Sequence, residues 1–315
     1  MNGVVARMPA NARWTLRALL VMACAVGLLV ASSGAALAKK HNPKPKKPAI
    51  TTHTAITKGS TYLALGDSVT FGYEEKQVVP APNYPDASSF LGYPELLGSE
   101  LHLNVVNAAC PGETSSSFID NTAQSNGCEN TPGKGNVGYR TLFPLHASYP
   151  GSQLAFAVAY LKKHQNVRLV SLMIGANDAL ICQETTADHC TSTSELLAVI
   201  NTVNKNIQTI VSTIRNKAHY RGQLAIVNYY SPSQATDTQI TLLNQAIDKS
   251  AAPFHAEVAD GFGEFQAGAL HSGANACQAG LLTQLVGAST PCGIHPSYAG
   301  QSLLAQSLEK VIRLG

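Results

Sequence analysis

The sequence predicts an α/β fold in which a parallel sheet is covered by helices on both faces. Two observations carry that prediction. Short apolar runs of strand character alternate with longer stretches whose apolar residues recur at helical spacing. In addition, three clusters of small polar residues follow strand-like runs: Gly66-Asp67-Ser68, Asn107 through Gly112, and Gly175-Ala176-Asn177-Asp178. Open α/β sheets bind ligands beyond the carboxyl ends of their strands, so all three clusters belong on one functional edge.

Taken in order, Tyr62-Leu63-Ala64-Leu65 is a first strand that breaks on Gly66. The stretch 88–102 (SSFLGYPELLGSELH) follows with helical spacing, and 103–110 (LNVVNAAC) reads as a second strand. Residues 152–164 form a helix that Ser152 can cap. VRLVSLMIGAND (167–178) is a buried strand running into its polar cluster, and 193–218 is a long amphipathic helix begun by Ser192 or Thr193, with Glu195 in its first turn. QLAIVNYY (223–230) is a fourth strand. The following segment is helical up to Pro253, and SYAGQSLLAQSLEKVIRL closes the chain as a helix. Crossovers between the parallel strands are expected to be right-handed.

The 315 residues do not all belong to this domain. Arg7, Arg13 and Arg17 precede the apolar run 18–31, and Ala36-Leu37-Ala38 supplies small residues at a cleavage position. That pattern describes a signal peptide over 1–38 and a secreted, extracellular protein; an uncleaved N-terminal anchor is the alternative. Residues 39–60 are rich in Lys and Pro, contain no acidic residue and show no periodicity, which describes a solvated linker. The domain 61–315 keeps 13 basic residues against 19 acidic ones, a formal charge of −6, so an acidic body sits on a basic tether. Such a tether could make weak contact with an anionic cell wall or membrane surface. Nothing in the composition suggests nucleic-acid binding, and the expected state is a monomer.

Beyond Cys24 in the signal segment, six cysteines remain. In an exported chain an even number implies disulfides. They fall into three local pairs, Cys110–Cys128, Cys182–Cys190 and Cys277–Cys292, each bracketing a Gly-, Asn- or Thr-rich stretch. No C-x-x-C or H-E-x-x-H motif is present, so no metal site is expected.

The polar clusters contain the parts an ester hydrolase needs: a nucleophile, a base, and donors for the oxyanion. Ser68 has the hydroxyl, Gly112 a backbone N–H unobstructed by a Cβ, and Asn177 an amide N–H. His295 lies in what reads as a loop before the last helix, stiffened by Pro296. With these residues in place the chain resembles the GDSL, or SGNH, hydrolases. The matching blocks are GDSVTFG (66–72), Gly112 in NAACPGET, GAND (175–178) and GIHPSYAG (293–300), in the family's order. The resemblance implies a flavodoxin-like three-layer fold with a mostly parallel five-stranded sheet, and hydrolysis of carboxylic esters without a cofactor. It assigns Ser68 as nucleophile, His295 as base, and the Ser68 N–H, Gly112 N–H and Asn177 side chain as oxyanion donors. Secreted lipases and esterases of the actinomycete type are similar in having three local cysteine pairs.

One block departs from the family pattern. An Asp commonly stands three residues before the His, where this chain has Cys292. The expectation is that the Cys292 main-chain carbonyl orients His295, with Asp260 as the alternative. Asp67 and Asp178 are read as structural, accepting backbone N–H groups at the strand ends. Bridges at Cys110 and Cys292 would pin the oxyanion loop and the base loop, or would simply stabilise an exported protein.

Two long segments, 73–90 and 113–150, carry Val78, Val79, Tyr84, Phe90, Phe118, Tyr139, Phe143 and Tyr149. They suit an acyl pocket, and would equally serve to pack the loops onto the body. The expected substrate is a lipid or small-molecule ester. A carbohydrate O-deacetylase of the same family is the alternative, and a non-catalytic module with a degenerate pocket is a third reading.

Overall fold

The structure, a computed structural model, describes residues 54–315, so the expected signal peptide (1–38) and most of the linker (39–60) lie outside the described residues. The strands are β1 (Thr61–Gly66), β2 (Asn104–Asn107), β3 (Val167–Met173), β4 (Gln223–Val227), β5 (Glu257–Ala259), β6 (Leu282–Gln284) and β7 (Cys292–Pro296). The helices are α1 (Ser68–Phe71), α2 (Tyr93–Glu100), α3 (Ser115–Ile119), α4 (Tyr139–Leu142), α5 (Gln153–Lys163), α6 (Ala176–Thr185), α7 (Thr193–Asn216), α8 (Asp237–Ala251), α9 (Gly261–Gly268) and α10 (Tyr298–Glu309).

Five strands form one sheet in the order β2-β1-β3-β4-β5, every neighbouring pair parallel. The chain steps from β1 through α2 to β2 at one edge, returns past β1 to β3, and continues to β4 and β5. For this strand order, the general rule of right-handed crossovers puts α2 on one face and α5, α7 and α8 on the other. Accordingly α2, α9 and α10 pack together, while α7 packs with α5, α6 and α8. The direction of travel reverses between β1 and β3, and ligands bind at such a switch point, outside the carboxyl ends of the strands. The two strands that end there deliver Ser68 and Asn177.

Central strands covered on both faces read as near-continuous apolar runs, and every residue of β1 is buried. Its one large polar group is satisfied: the Tyr62 hydroxyl and Ser171 Oγ are 2.6 Å apart. Helix α7 buries Val203, Ile207, Ile210, Val211 and Ile214, one stripe of a 3.6-residue repeat. Its N-cap is Ser192, which accepts from the Glu195 N–H, and Ser152 caps α5 in the same way. Among the described residues no helix is long and apolar enough to cross a membrane.

The structure departs from the sequence expectations in three places. The GAND cluster that follows β3 opens a helix, α6, which the sequence reading did not assign. The run after Pro253 contains the fifth strand, β5, whose three residues are too short to show a period-2 signal. His295 belongs to β7, paired antiparallel with β6 in a separate hairpin, and not to an irregular loop. Ordered structure also begins ahead of Thr61. Ile56 is buried, donates its N–H to Arg313 O and accepts from Gly315 N–H, so the start of the domain is tied to its end.

Candidate active site

The site begins with a glycine. Gly66 ends β1 at φ +151, and a Cβ there would lie 2.3 Å from the Met173 carbonyl oxygen. Only glycine lets β1 and β3 lie this close where the chain turns sharply into α1. Asp67 is the N-cap of α1: its Oδ1 accepts the Val69 N–H at 3.0 Å and its Oδ2 accepts the Tyr229 hydroxyl. Burial pushes the Asp67 carboxyl up to about 6, against these two hydrogen bonds. Ser68, the first residue of α1, is thereby held at the mouth of the switch point.

His295 reaches this serine from β7. Its Nε2 lies 3.0 Å from Ser68 Oγ. Its Nδ1 lies 2.7 Å from Glu75 Oε1, and not on the Cys292 carbonyl or Asp260, the two groups expected from the sequence. Asp260 is committed elsewhere, capping α9 through the Gly263 N–H and accepting from Asn228 Nδ2. Cys292 is bonded to Cys277.

Glu75 is fixed from three further directions. Thr283 Oγ1 donates to its Oε2 at 2.6 Å and the Ile294 N–H to its Oε1 at 3.2 Å. Gly293 leaves the space it occupies, because a Cβ there would fall 2.1 Å from Oε1. Burial alone would raise the Glu75 carboxyl, but the hydrogen bond and charge of His295, with Thr283, bring it down to about 2. A carboxylate that stays ionised here holds the imidazole tautomer with Nε2 free to accept from Ser68. The Tyr73 ring lies 4.8 Å from the His295 ring, packing its other side.

The remaining candidates converge on the same cavity. Gly112, at φ +82, would drive a Cβ to 2.4 Å from the Asn126 carbonyl oxygen. Asn177 donates from Nδ2 to the Glu113 carbonyl at 3.0 Å and accepts from Asn126 Nδ2 on Oδ1 at 3.1 Å, which fixes the orientation of its amide. One amide hydrogen of Asn177 remains for a ligand. Asp178 takes the Ser115 N–H and hydroxyl, an anchor between α6 and α3. Ser68, Gly112, Asn177 and His295 all line a cavity of about 520 Å3.

The family model of the GDSL-like lipase/acylhydrolases matches residues 64–303. The chain belongs to this family. Among solved structures, this GDSL-like hydrolase is similar to phospholipase A1 from Streptomyces albidoflavus NA297, at 19% identity and TM-score 0.51, over 80% of this chain and 99% of that one. It is also similar to the lipase Lip_vut3 from a goat rumen metagenome, at 17% identity and TM-score 0.50, over 80% of this chain and 96% of that one. At these identities the likeness is one of fold. No curated protein matches the chain.

Three disulfides join Cys110 to Cys128, Cys182 to Cys190 and Cys277 to Cys292, the pairs expected from the sequence, and they fit an extracellular enzyme. Among the described residues, two Cys/Glu groups bring possible metal-ligand atoms close: Cys110 with Glu113 and Cys128, and Cys182 with Cys190 and Glu195. In both, the sulfurs are consumed in disulfides and offer no thiolate.

Of the two roles expected for the long loops of the GDSL-like protein, packing onto the body is the one their aromatic residues take. Tyr84, Phe90, Tyr139 and Phe143 pack with Phe71 in a satellite core, and Phe118 and Tyr149 are buried in the main one. Of the eight residues expected, only Tyr139 lines the cavity. The apolar wall comes from α6, α7 and α8, through Leu180, Leu196, Val199, Ile200, Ile240 and Leu243. The sequence also carried a faint signal for Glu75, an acidic pair (Glu74-Glu75) following the nucleophile block. Nothing local linked that pair to a histidine 220 residues away.

Proposed function

We propose that this GDSL-family protein is a secreted serine ester hydrolase acting on esters with an extended apolar acyl chain. The observation that carries the reading is the aligned chain Ser68–His295–Glu75 opening onto an apolar cavity. A sugar acetate would leave most of that wall against water, so the cavity favours a lipid-type acyl group over carbohydrate O-deacetylation.

The chemistry follows from the geometry. His295 Nε2 takes the Ser68 proton as Oγ attacks the ester carbonyl carbon, and the carbonyl π electrons move onto oxygen. The Ser68 and Gly112 N–H groups and Asn177 Nδ2 receive that oxyanion. Glu75 offsets the charge gained by the imidazolium. The tetrahedral intermediate collapses, the C–O bond to the alcohol breaks, and the alkoxide leaves with the proton from His295. Water, deprotonated by the same nitrogen, then hydrolyses the acyl-enzyme. Secretion is supported by the three disulfides and by the signal pattern of residues 1–38.

The test is hydrolysis of p-nitrophenyl esters from acetate to palmitate by residues 39–315 and by the Ser68→Ala variant. Activity that rises beyond acetate and vanishes in the variant supports the reading. Activity confined to acetate would favour the deacetylase. Equal inertness of two folded proteins would favour a binding module.

A further inference from the structure

Gln153 is the first residue of α5 and is fully buried. Its side chain does not line the cavity, yet it makes three hydrogen bonds at the base of the site. Oε1 accepts the Gly66 N–H at 2.6 Å, and Nε2 donates to the Gly66 carbonyl at 3.0 Å and to Glu113 Oε2 at 3.1 Å. One side-chain amide thus holds both backbone groups of the residue two positions before Ser68. Glu113, also fully buried, is held at Oε1 by the Ser117 hydroxyl, follows Gly112 directly, and accepts Asn177 Nδ2 on its carbonyl. The Gly66 carbonyl additionally accepts the Cys110 N–H at 3.2 Å.

We infer that Gln153 is a positioning residue that sets the mutual spacing of the three oxyanion donors, acting through Gly66 on Ser68 and through Glu113 on Gly112 and Asn177. The inference rests on the serine-hydrolase reading above. Three donors from three segments (the ends of β1 and β3, and the loop after β2) need a common reference, because a donor displaced by a fraction of an ångström no longer meets an oxyanion. Gln153 and Glu113 supply it: every bond in this network reaches a donor residue or a residue within two positions of one. Burial raises the Glu113 carboxyl, with the nearby Glu129 charge adding to the effect. Protonated on Oε1, Glu113 would turn an O–H toward Ser117 Oγ and keep Oε2 as the acceptor for Gln153, and a glutamine can place one N–H and its oxygen in the same two positions.

The experiment compares Gln153→Met, Gln153→Glu, Glu113→Gln and Glu113→Leu with the wild type and Ser68→Ala, on one p-nitrophenyl ester. An alkyl trifluoromethyl ketone serves as a probe that binds as a tetrahedral oxyanion. Gln153→Met and Glu113→Leu are expected to lower kcat by about 100-fold, the scale of misplacing reacting groups by an ångström, with KM within about twofold. Ketone affinity should fall in step with kcat/KM. Glu113→Gln, which keeps an oxygen for Gln153 and turns an N–H toward Ser117, should retain kcat within about threefold.

Should Gln153→Met fail to fold, Gln153→Glu keeps the side-chain length and the Gly66 N–H acceptor. It should show the same loss of kcat and ketone affinity at unchanged KM. Folded variants with unchanged kcat and ketone affinity, or a loss confined to KM, would overturn the inference. A wild type without esterase activity, or an equally active Ser68→Ala, would instead overturn the hydrolase reading and this inference with it.

Discussion

Glu75 Oε1 lies 2.7 Å from His295 Nδ1 although 220 residues separate them, and the contact closes a Ser68–His295–Glu75 chain in which Glu75 follows Ser68 by seven positions in the sequence. The carboxylate thereby occupies the role that most of its family gives to a residue three before the histidine. Here that place is a half-cystine, Cys292, whose disulfide holds β7 and so holds the histidine. In the proposed mechanism the base is oriented from the loop after α1, and its segment is anchored by a covalent bridge.

Removing the Glu75 charge should therefore cripple turnover. Glu75→Gln keeps the shape but favours the wrong imidazole tautomer, so kcat is expected to fall by about 100- to 10,000-fold. Asp260→Ala should leave kcat within about twofold while costing about 1–2 kcal/mol of stability through loss of the α9 cap. Steady-state kinetics and urea denaturation of the two variants separate these outcomes.

Gly293→Ala tests the same relationship sterically. The new Cβ would stand 2.1 Å from Glu75 Oε1 and 2.5 Å from Thr283 Oγ1, so the carboxylate must move. A fall in kcat of about tenfold or more is expected from that misplacement. Normal kcat in a folded Gly293→Ala protein would show that Glu75 does not need its present position.

Asn177→Ala removes one of the proposed oxyanion donors, and kcat should fall by about 100- to 1,000-fold. Asn126→Ala leaves that donor in place but frees its amide to turn, so a loss of about tenfold is expected. The order of the two losses, measured on one ester, is the check.

Acyl-chain preference should shift when the apolar wall is filled. Ile200→Trp or Leu196→Trp reduces the room between α6, α7 and α8. Hydrolysis of long-chain p-nitrophenyl esters is expected to fall by about tenfold or more relative to acetate. An unchanged chain-length profile would remove this wall from the acyl pocket.

Stability should decline from mildly acidic to alkaline pH. Asp67, pushed up to about 6 by burial, binds a proton more tightly in the folded than in the unfolded chain, and Glu113 shifts in the same direction. Their contribution is complete below the ordinary carboxylate range and is lost as pH rises through about 6 for Asp67 and higher for Glu113. Glu75 acts oppositely: its contribution is present above the ordinary glutamate value of 4.5 and is lost as pH falls through about 2. The thermal midpoint should accordingly be higher at pH 5 than at pH 8, and Glu113→Gln should narrow the difference.

The sequence by itself determined the α/β class, the helices read over 152–164 and 193–218 that the structure places at 153–163 and 193–216, the three cysteine pairs, and the choice of Ser68, Gly112, Asn177 and His295, which line one cavity. Each of these is written in local chemistry: an apolar period, a cap, a short loop between cysteines, or a glycine or polar residue at a strand end. Only the tertiary structure decided that Glu75 meets His295, that Gln153 clamps Gly66, and that the cavity wall comes from α6, α7 and α8 and not from the aromatic loops. Those relations depend on which elements the sheet order brings together across long sequence separations. A glutamate in a loop, a glutamine in the first turn of a helix and a leucine on an apolar stripe look alike in sequence whether they serve a site or only the core.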